Sequence, residues 1–274
     1  MCLQFIAIDG PKLTITQLRQ AVSTPDQLGE FLHESNTVSE DEITRRCSSL
    51  IRKSEDGLSY EFAHFSVQEF LEDHEALTQD IGKPDITKYL VSRTGAYTCL
   101  AAQCLKFLQM KNFERRPQDT DTYEEMSHIS ERNQAYPFYP YAAINWLRFT
   151  AYVHSYDAVI LELSQSLFKP QKTPLFCSWA IQALVELLQV SSGGSVFFIP
   201  RRAIEIVKDP SFRPLHMAAA LNLPQVCTSI LNQGTVVSVR FHRARPIDLA
   251  IVTILGMPES GIGPDKTGAC GVYL

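Results

Sequence analysis

The chain has no uninterrupted run of about 18 apolar residues, the length a helical membrane span requires. Its first residues, MCLQFIAIDGPK, place no basic stretch ahead of their short apolar run. Neither a spanning segment nor a secretory leader is expected, and the chain reads as intracellular and cytoplasmic. Cysteine is sparse and scattered: Cys2, Cys47, Cys99, Cys104, Cys177, Cys227 and Cys270 form no CxxC pair and no dense framework. That excludes a disulfide-stapled secreted scaffold and suits a reducing compartment. HExxH, GxSxG and paired Cys/His spacings are all missing, so metalloprotease, serine hydrolase and zinc-finger chemistry lack their residues. Positive charge is also short, with 25 Lys plus Arg against 30 Asp plus Glu and a net charge of -5. Such a balance gives no polycationic field for nucleic acid or an anionic membrane. Gly263 and Gly268 have the GxxxxG spacing of a phosphate-cradling loop, but Ala269 and Cys270 stand where Lys and Ser/Thr are needed. No bound cofactor and no metal site are expected.

What remains is ample material for packing, since 45% of the 274 residues are hydrophobic and 20% charged. Residues 1–80 alternate short helices with one hairpin. Leu3, Phe5 and Ile6 begin an apolar element that breaks at Gly10-Pro11, and Thr16 precedes a short helix carrying Leu18 and Val22. Ser39 and Glu42 form an S-x-x-E capping box for a third helix, in which Ile43, Cys47 and Leu50 make one stripe. Leu50 to Lys53 can extend, Glu55-Asp56-Gly57 supplies turn chemistry, and Leu58, Tyr60, Phe62 and His64 alternate with Ser59, Glu61 and Ala63, which predicts a β-hairpin. Ser66 and Glu69 read as another capping box, opening a helix with Val67, Phe70, Leu71 and His74 on its buried face. Three helices, a hairpin and a helix outline a winged helix.

Residues 84–200 are expected to be a helical connector, with Ala101, Cys104, Leu105 and Leu108 on one face. Cys99 and Cys104 read as small buried hydrophobes. Within the connector, residues 111–135 carry many acids and few apolar groups, which predicts a mobile loop. The aromatic cluster Tyr136, Phe138, Tyr139, Tyr141, Trp146 and Phe149 reads as helix packing rather than a ligand box. Further on, Pro214-Leu-His216-Met-Ala recurs as Pro246-Ile-Asp248-Leu-Ala, 32 residues later. Helix, turn, helix at that period is an ankyrin signature, so residues 207–256 read as about two ankyrin repeats and 257–274 as a flexible tail.

FAHFSVQEFL, Phe62 to Leu71, resembles the hairpin-to-helix motif that closes the winged-helix domain of NACHT proteins, the nucleotide-binding signalling ATPases of the STAND class. LQFIAI, LTITQLRQAVS and DEITRRCSSLIRKSEDG look like the same segment of fungal NACHT-ankyrin proteins, YPFYPYAAINW is similar to the helical stretch that follows there, and PLHMAA to their ankyrin array. The resemblance implies a mainly α fold: a winged helix with a β-hairpin, an α-helical connector and an ankyrin-repeat α-solenoid. It implies a non-enzymatic protein–protein interaction module of an intracellular sensor, in which ligand recognition by the repeats is coupled to a nucleotide switch. Partners would be proteins held by the repeats and an ATPase module, in a longer parent protein or in another chain. The start at Met1, inside what should be the first helix of the winged domain, suggests a gene fragment.

His64 matches the family's histidine that contacts the β-phosphate of bound ADP, so it is the candidate cofactor-binding residue wherever an ATPase module is present. The competing reading places His64 in the core, on the face of Leu58, Tyr60 and Phe62. His216 matches the histidine of the ankyrin TPLH turn, a structural role, while Arg213 and Arg245 replace the usual threonine and Leu221 the usual glycine. A different function class, a winged-helix DNA-binding regulator, meets an adverse charge: residues 1–83 hold 7 Lys plus Arg against 15 Asp plus Glu, and the recognition-helix candidate opens with Glu40, Asp41 and Glu42. No catalytic residue is assigned, because neither Ser195 nor Cys47 has a neighbouring base to activate it.

Overall fold

A computed structural model describes residues 1–8, 11–25, 37–72, 93–117, 122–153, 157–192 and 198–234. Among them are twelve α-helices and one two-stranded antiparallel sheet, a mainly helical fold. The chain divides into two compact units, one of residues 1–112 and 132–157, the other of residues 113–131 and 158–274.

The first unit begins with α1 (Cys2–Ala7), α2 (Ile15–Ser23) and α3 (Glu40–Cys47), followed by β1 (Ile51–Lys53), β2 (Tyr60–Phe62) and α4 (Phe65–Glu72). α2 starts two residues earlier than Thr16 suggests. Thr14 Oγ1 accepts from the Gln17 N–H at 3.3 Å, and Gln17 Oε1 accepts from the Thr14 N–H at 2.9 Å, a reciprocal box that leaves Thr16 inside the helix. Ser39 caps α3 as expected, accepting from the Glu42 N–H at 3.1 Å, but the Glu42 carboxylate turns to Arg45 and Arg46 instead of completing the box. α3 stops at Cys47, where Ser48 takes a φ of 51°, so Ile43 and Cys47 are buried and Leu50 is not.

The hairpin pairs Ile51 with Phe62, Arg52 with Glu61 and Lys53 with Tyr60. Its turn is built as the sequence requires. Asp56 Oδ1 accepts from Ser54 Oγ at 2.6 Å and from the Leu58 N–H at 2.9 Å, and Gly57 takes a φ of +70°. The Leu58 carbonyl accepts from the Ile15 N–H at 2.8 Å, which ties the hairpin to the start of α2. α4 inserts Leu71, with Val67 partly buried, against Ala7 and Ala96. Phe70 lies one position off that i, i+4 stripe and is 51% exposed, which corrects its expected place on the buried face.

The core of this unit is the pairing of α5 (Arg93–Leu108) with α7 (Phe138–Ala151). Leu100, Cys104 and Phe107 on the first helix and Phe138, Ala142 and Trp146 on the second are all fully buried. Phe107 and Phe138 pack edge to face at 4.9 Å, so the aromatic cluster serves packing, as the sequence suggested. Cys104 is buried and its thiol is pushed up by desolvation, the behaviour of a small hydrophobe, whereas Cys99 is only partly buried.

Residues 111–135 are not a continuous loop. A single 3₁₀ turn covers Lys111–Phe113, and α6 (Thr122–Ala135) follows. Of the acids that suggested a loop, Glu124, Glu125 and Glu131 belong to α6 itself, while Asp119 and Asp121 lie outside the described residues. Glu124 and Glu125 stand in its first turn, where the helix dipole favours them, and the buried Glu125 accepts from Arg115 at 3.3 Å.

In the second unit, α8 (Ala158–Leu167), α9 (Pro174–Ser192) and α10 (Phe198–Lys208) precede a helix pair, α11 (Pro214–Ala220) and α12 (Pro224–Asn232). Phe168, Phe176 and Trp179 form its aromatic centre, with Phe168 and Trp179 at 4.9 Å. Lys172 Nζ donates to the Val207 carbonyl at 2.9 Å and the Asp209 carbonyl at 2.8 Å, closing the end of α10. Each helix of the final pair has Pro at its first turn, where the missing N–H costs nothing. The turn expected to suffer from Leu221 is made by its neighbour: Leu221 is buried and Asn222 takes the left-handed conformation at φ 53°. The second copy of the repeat motif, Pro246 to Ala250, and the tail 257–274 lie outside the described residues.

Candidate functional site: a cleft beside the hairpin

α1, the start of α2, the hairpin and α4 enclose a cleft of about 400 Å³ in the first unit. Phe5, Ile8, Leu13, Tyr60, Phe62 and Phe65 line it together with Lys12, Arg52, Glu61 and Gln68. The residues reach it for local reasons. α1 is too short to bury its whole apolar circumference, and the alternation of β2 sends Tyr60 and Phe62 to one face of a two-stranded sheet. Around the opening, Glu61 is shared by two cations, Arg52 at 2.9 Å and Lys12 at 4.0 Å. Arg52 and Glu61 are directly opposed across the strands, where an ion pair supports the register.

Several large apolar side chains of the hairpin and α4 are left in water. Phe65 on the cleft is 66% exposed, Leu58 in the hairpin turn 62%, and Phe70 on α4 about half. Besides its apolar side chains the wall offers two cations, Lys12 and Arg52, the Glu61 carboxylate and the Gln68 amide. Among the described residues no group of three or more His, Cys, Asp or Glu is placed to hold a metal ion.

His64 stands at the head of α4, next to Phe65, and is exposed, which removes the core reading. Its Nδ1 lies 2.8 Å from Ser66 Oγ and accepts from the Ser66 N–H at 3.2 Å. Accepting there fixes the neutral ring as the Nε2–H tautomer, so the proton is carried on the nitrogen away from the helix. The ring also packs on Phe65 with centroids 4.6 Å apart. Ser66 therefore sits inside the first turn and partners His64. The expected Ser66–Glu69 box does not form, because the imidazole itself occupies the capping role.

His216 is placed locally as well. Its Nδ1 accepts from the Arg213 N–H at 2.9 Å, closing the N-terminus of α11, and its ring stacks with Phe212 at 6.4 Å. On α3, Glu42 binds Arg45 through a forked pair at 2.7 to 3.0 Å and also holds Arg46, while Lys53 reaches Glu40 at 2.7 Å. The two arginines pull the Glu42 carboxyl below its usual range. Sequence reasoning passed over Lys12, Arg52 and Glu61. The hairpin centred on Gly57 already sets Arg52 opposite Glu61, and that pairing was the available signal.

No protein-family description, curated protein or solved structure matches the chain. No helix among the described residues is long and apolar enough to cross a membrane.

Proposed function

We propose that the chain is a non-enzymatic protein–protein interaction module from a NACHT/STAND-type intracellular sensor. In this reading residues 1–72 act as its winged helix and α11–α12 as an ankyrin repeat that takes part in recognising protein partners. The observation that carries the reading is the placement of His64. The histidine of the FAHFSVQEFL motif is exposed, has Nδ1 occupied by Ser66 and so offers Nε2–H as a donor, the form a phosphate oxygen of ADP on an ATPase module would accept. The order of three helices, hairpin and helix supports the winged-helix reading. The Pro-initiated pair α11–α12, with a left-handed turn at Asn222, supports the repeat reading. The exposed Leu58, Phe65 and Phe70 suit contact with a protein partner. Nucleic acid and membrane are not proposed as partners. On α3 the arginines a DNA-binding reading would spend on phosphates are held by Glu42.

The test is association of this chain with a separately produced ATPase module from a fungal NACHT-ankyrin protein, with and without ADP. Binding is expected to be tighter with ADP. His64→Asn keeps a cap for the Ser66 N–H but falls short of a phosphate, and should weaken the ADP-dependent part about 10- to 100-fold, the worth of one charge-assisted hydrogen bond. Binding indifferent to both ADP and the substitution would remove the nucleotide-switch role.

A further inference from the structure

The nucleotide-switch reading leaves the cleft of the first unit without an occupant. Its volume of about 400 Å³ falls within the range of about 300 to 1,000 Å³ typical of small-molecule sites, which pair an apolar wall with a few polar groups. The apolar lining runs from core to rim: Leu13, Leu18 and Tyr60 are buried, while Phe65 is 66% exposed. The charged lining is unbalanced. Lys12 and Arg52 share one carboxylate, Glu61, and keep 71% and 63% of their side chains in water, against 28% for Glu61. Arg52 lies 2.9 Å from one oxygen of Glu61 and Lys12 4.0 Å from the other, so the arginine holds the ion pair and the ammonium is only loosely engaged. With a cation at each oxygen, Glu61 is a poor receptor for a basic ligand. Two cations against one carboxylate leave the lining with a formal excess of one positive charge. Asp56, within electrostatic reach of Lys12, does not line the cleft, and its Oδ1 is committed to Ser54 and the Leu58 N–H.

We propose that this cleft binds a small amphipathic carboxylate. Its apolar body lies against Phe5, Tyr60, Phe62 and Phe65, and its head group pairs with Lys12 at the charged end. The apolar contact supplies affinity, and the excess charge selects an anion over a neutral or cationic molecule of the same shape. His64 does not line the cleft, so this binding and the ADP-dependent association can each fail without the other.

The experiment titrates octanoate into the full chain carrying labelled isoleucine and leucine methyl groups, followed by NMR with calorimetry for affinity. Saturable shifts at Ile6, Ile8, Leu13 and Leu18 are expected, at one octanoate per chain. Hexanoate should bind about 5- to 15-fold more weakly, the worth of two buried methylenes. Octanol, with the tail and no charge, should be weaker than octanoate by about 2- to 5-fold, the scale of an exposed ion pair, and octylammonium weaker still. Lys12→Met, at an exposed position, should bring octanoate down to the affinity of octanol. Glu61→Gln should tighten octanoate by removing the competing carboxylate, a gain that loss of folding does not mimic. Octanol or octylammonium binding as tightly as octanoate, or octanoate leaving those four methyl groups unmoved, would overturn the proposal. So would shifts at the same methyl groups on raising protein concentration alone, which would assign the cleft to a second copy of the chain.

Discussion

Gln20 accepts a hydrogen bond from the Phe138 backbone N–H at 3.0 Å, across 118 positions of sequence. Its Nε2 donates to the Ala135 carbonyl at 3.0 Å, so both ends of a buried amide are satisfied at the entry to α7. The N–H of Phe138 belongs to the first turn of a helix and has no partner within it. Gln20→Ala strands that donor and the carbonyl together and should cost about 2 to 3 kcal/mol. Urea unfolding monitored by circular dichroism checks it, and a loss under about 0.5 kcal/mol would mean that water replaces the amide without penalty.

Leu71 and Phe70 are neighbours with opposite fates. Leu71→Ala empties a buried site against Ala7 and Ala96 and should cost about 2 to 4 kcal/mol. Phe70→Ala removes a ring that is already half in water and should cost under about 1 kcal/mol. Thermal melts of the two variants decide the orientation of α4, and the reverse order would turn the helix over.

Burial raises the Glu186 carboxyl above the usual carboxylate range, against a hydrogen bond from Gln182 Nε2 at 2.7 Å that lowers it. Between the ordinary Glu value of about 4.3 and the raised native value, the native state keeps a proton that the unfolded chain has released. Stability from this group is therefore present at low pH and lost as pH rises through that window. Glu186→Gln should melt higher than the parent at about pH 7 and no higher at about pH 4. Equal melting temperatures at both values would show the carboxyl to be solvated.

Lys172 spends its ammonium on two backbone carbonyls, those of Val207 and Asp209. Desolvation lowers its pKa, which sets part of the gain aside. Lys172→Met keeps the apolar stem and should cost about 1 to 2 kcal/mol, read as a lower urea midpoint at unchanged slope. A changed slope would point to altered compactness rather than a lost cap.

Local rules carried the reading of the sequence a long way. Ser39 before α3, the Asp56-Gly57 turn, the alternation of Tyr60 with Phe62 and the α5 stripe at Ala101, Cys104 and Leu108 each follow from spacing within one element. Errors came where two local solutions compete. Thr14 with Gln17 and Thr16 are both plausible caps, and the reciprocal bond to Gln17 decides for Thr14. Val67–Leu71 and Val67–Phe70 are both helical spacings, and only contact with Ala7 selects the first. The acids of α6 look like a solvated loop until Arg115 is placed beside Glu125. Of the cleft, the aromatic wall could be read from β2, but its depth depends on α1 packing that no spacing encodes. The buried glutamines were invisible for the same reason: Gln103 Nε2 meets the Ala21 carbonyl at 2.7 Å only in three dimensions.

Because the first unit is assembled from residues 1–112 and 132–157, the order in which a ribosome delivers the chain matters. When residue 80 emerges, α2 still has no α5 to receive its last carbonyls and no α7 to satisfy Gln20. At about 5 to 20 residues per second, those partners arrive several seconds later. Until then the apolar sides of α1 and α2 stand open, and the nascent chain depends on whatever shields them. The same timing governs a shortened product: one ending near residue 80 would carry every element of the hairpin module and none of the helices that close it.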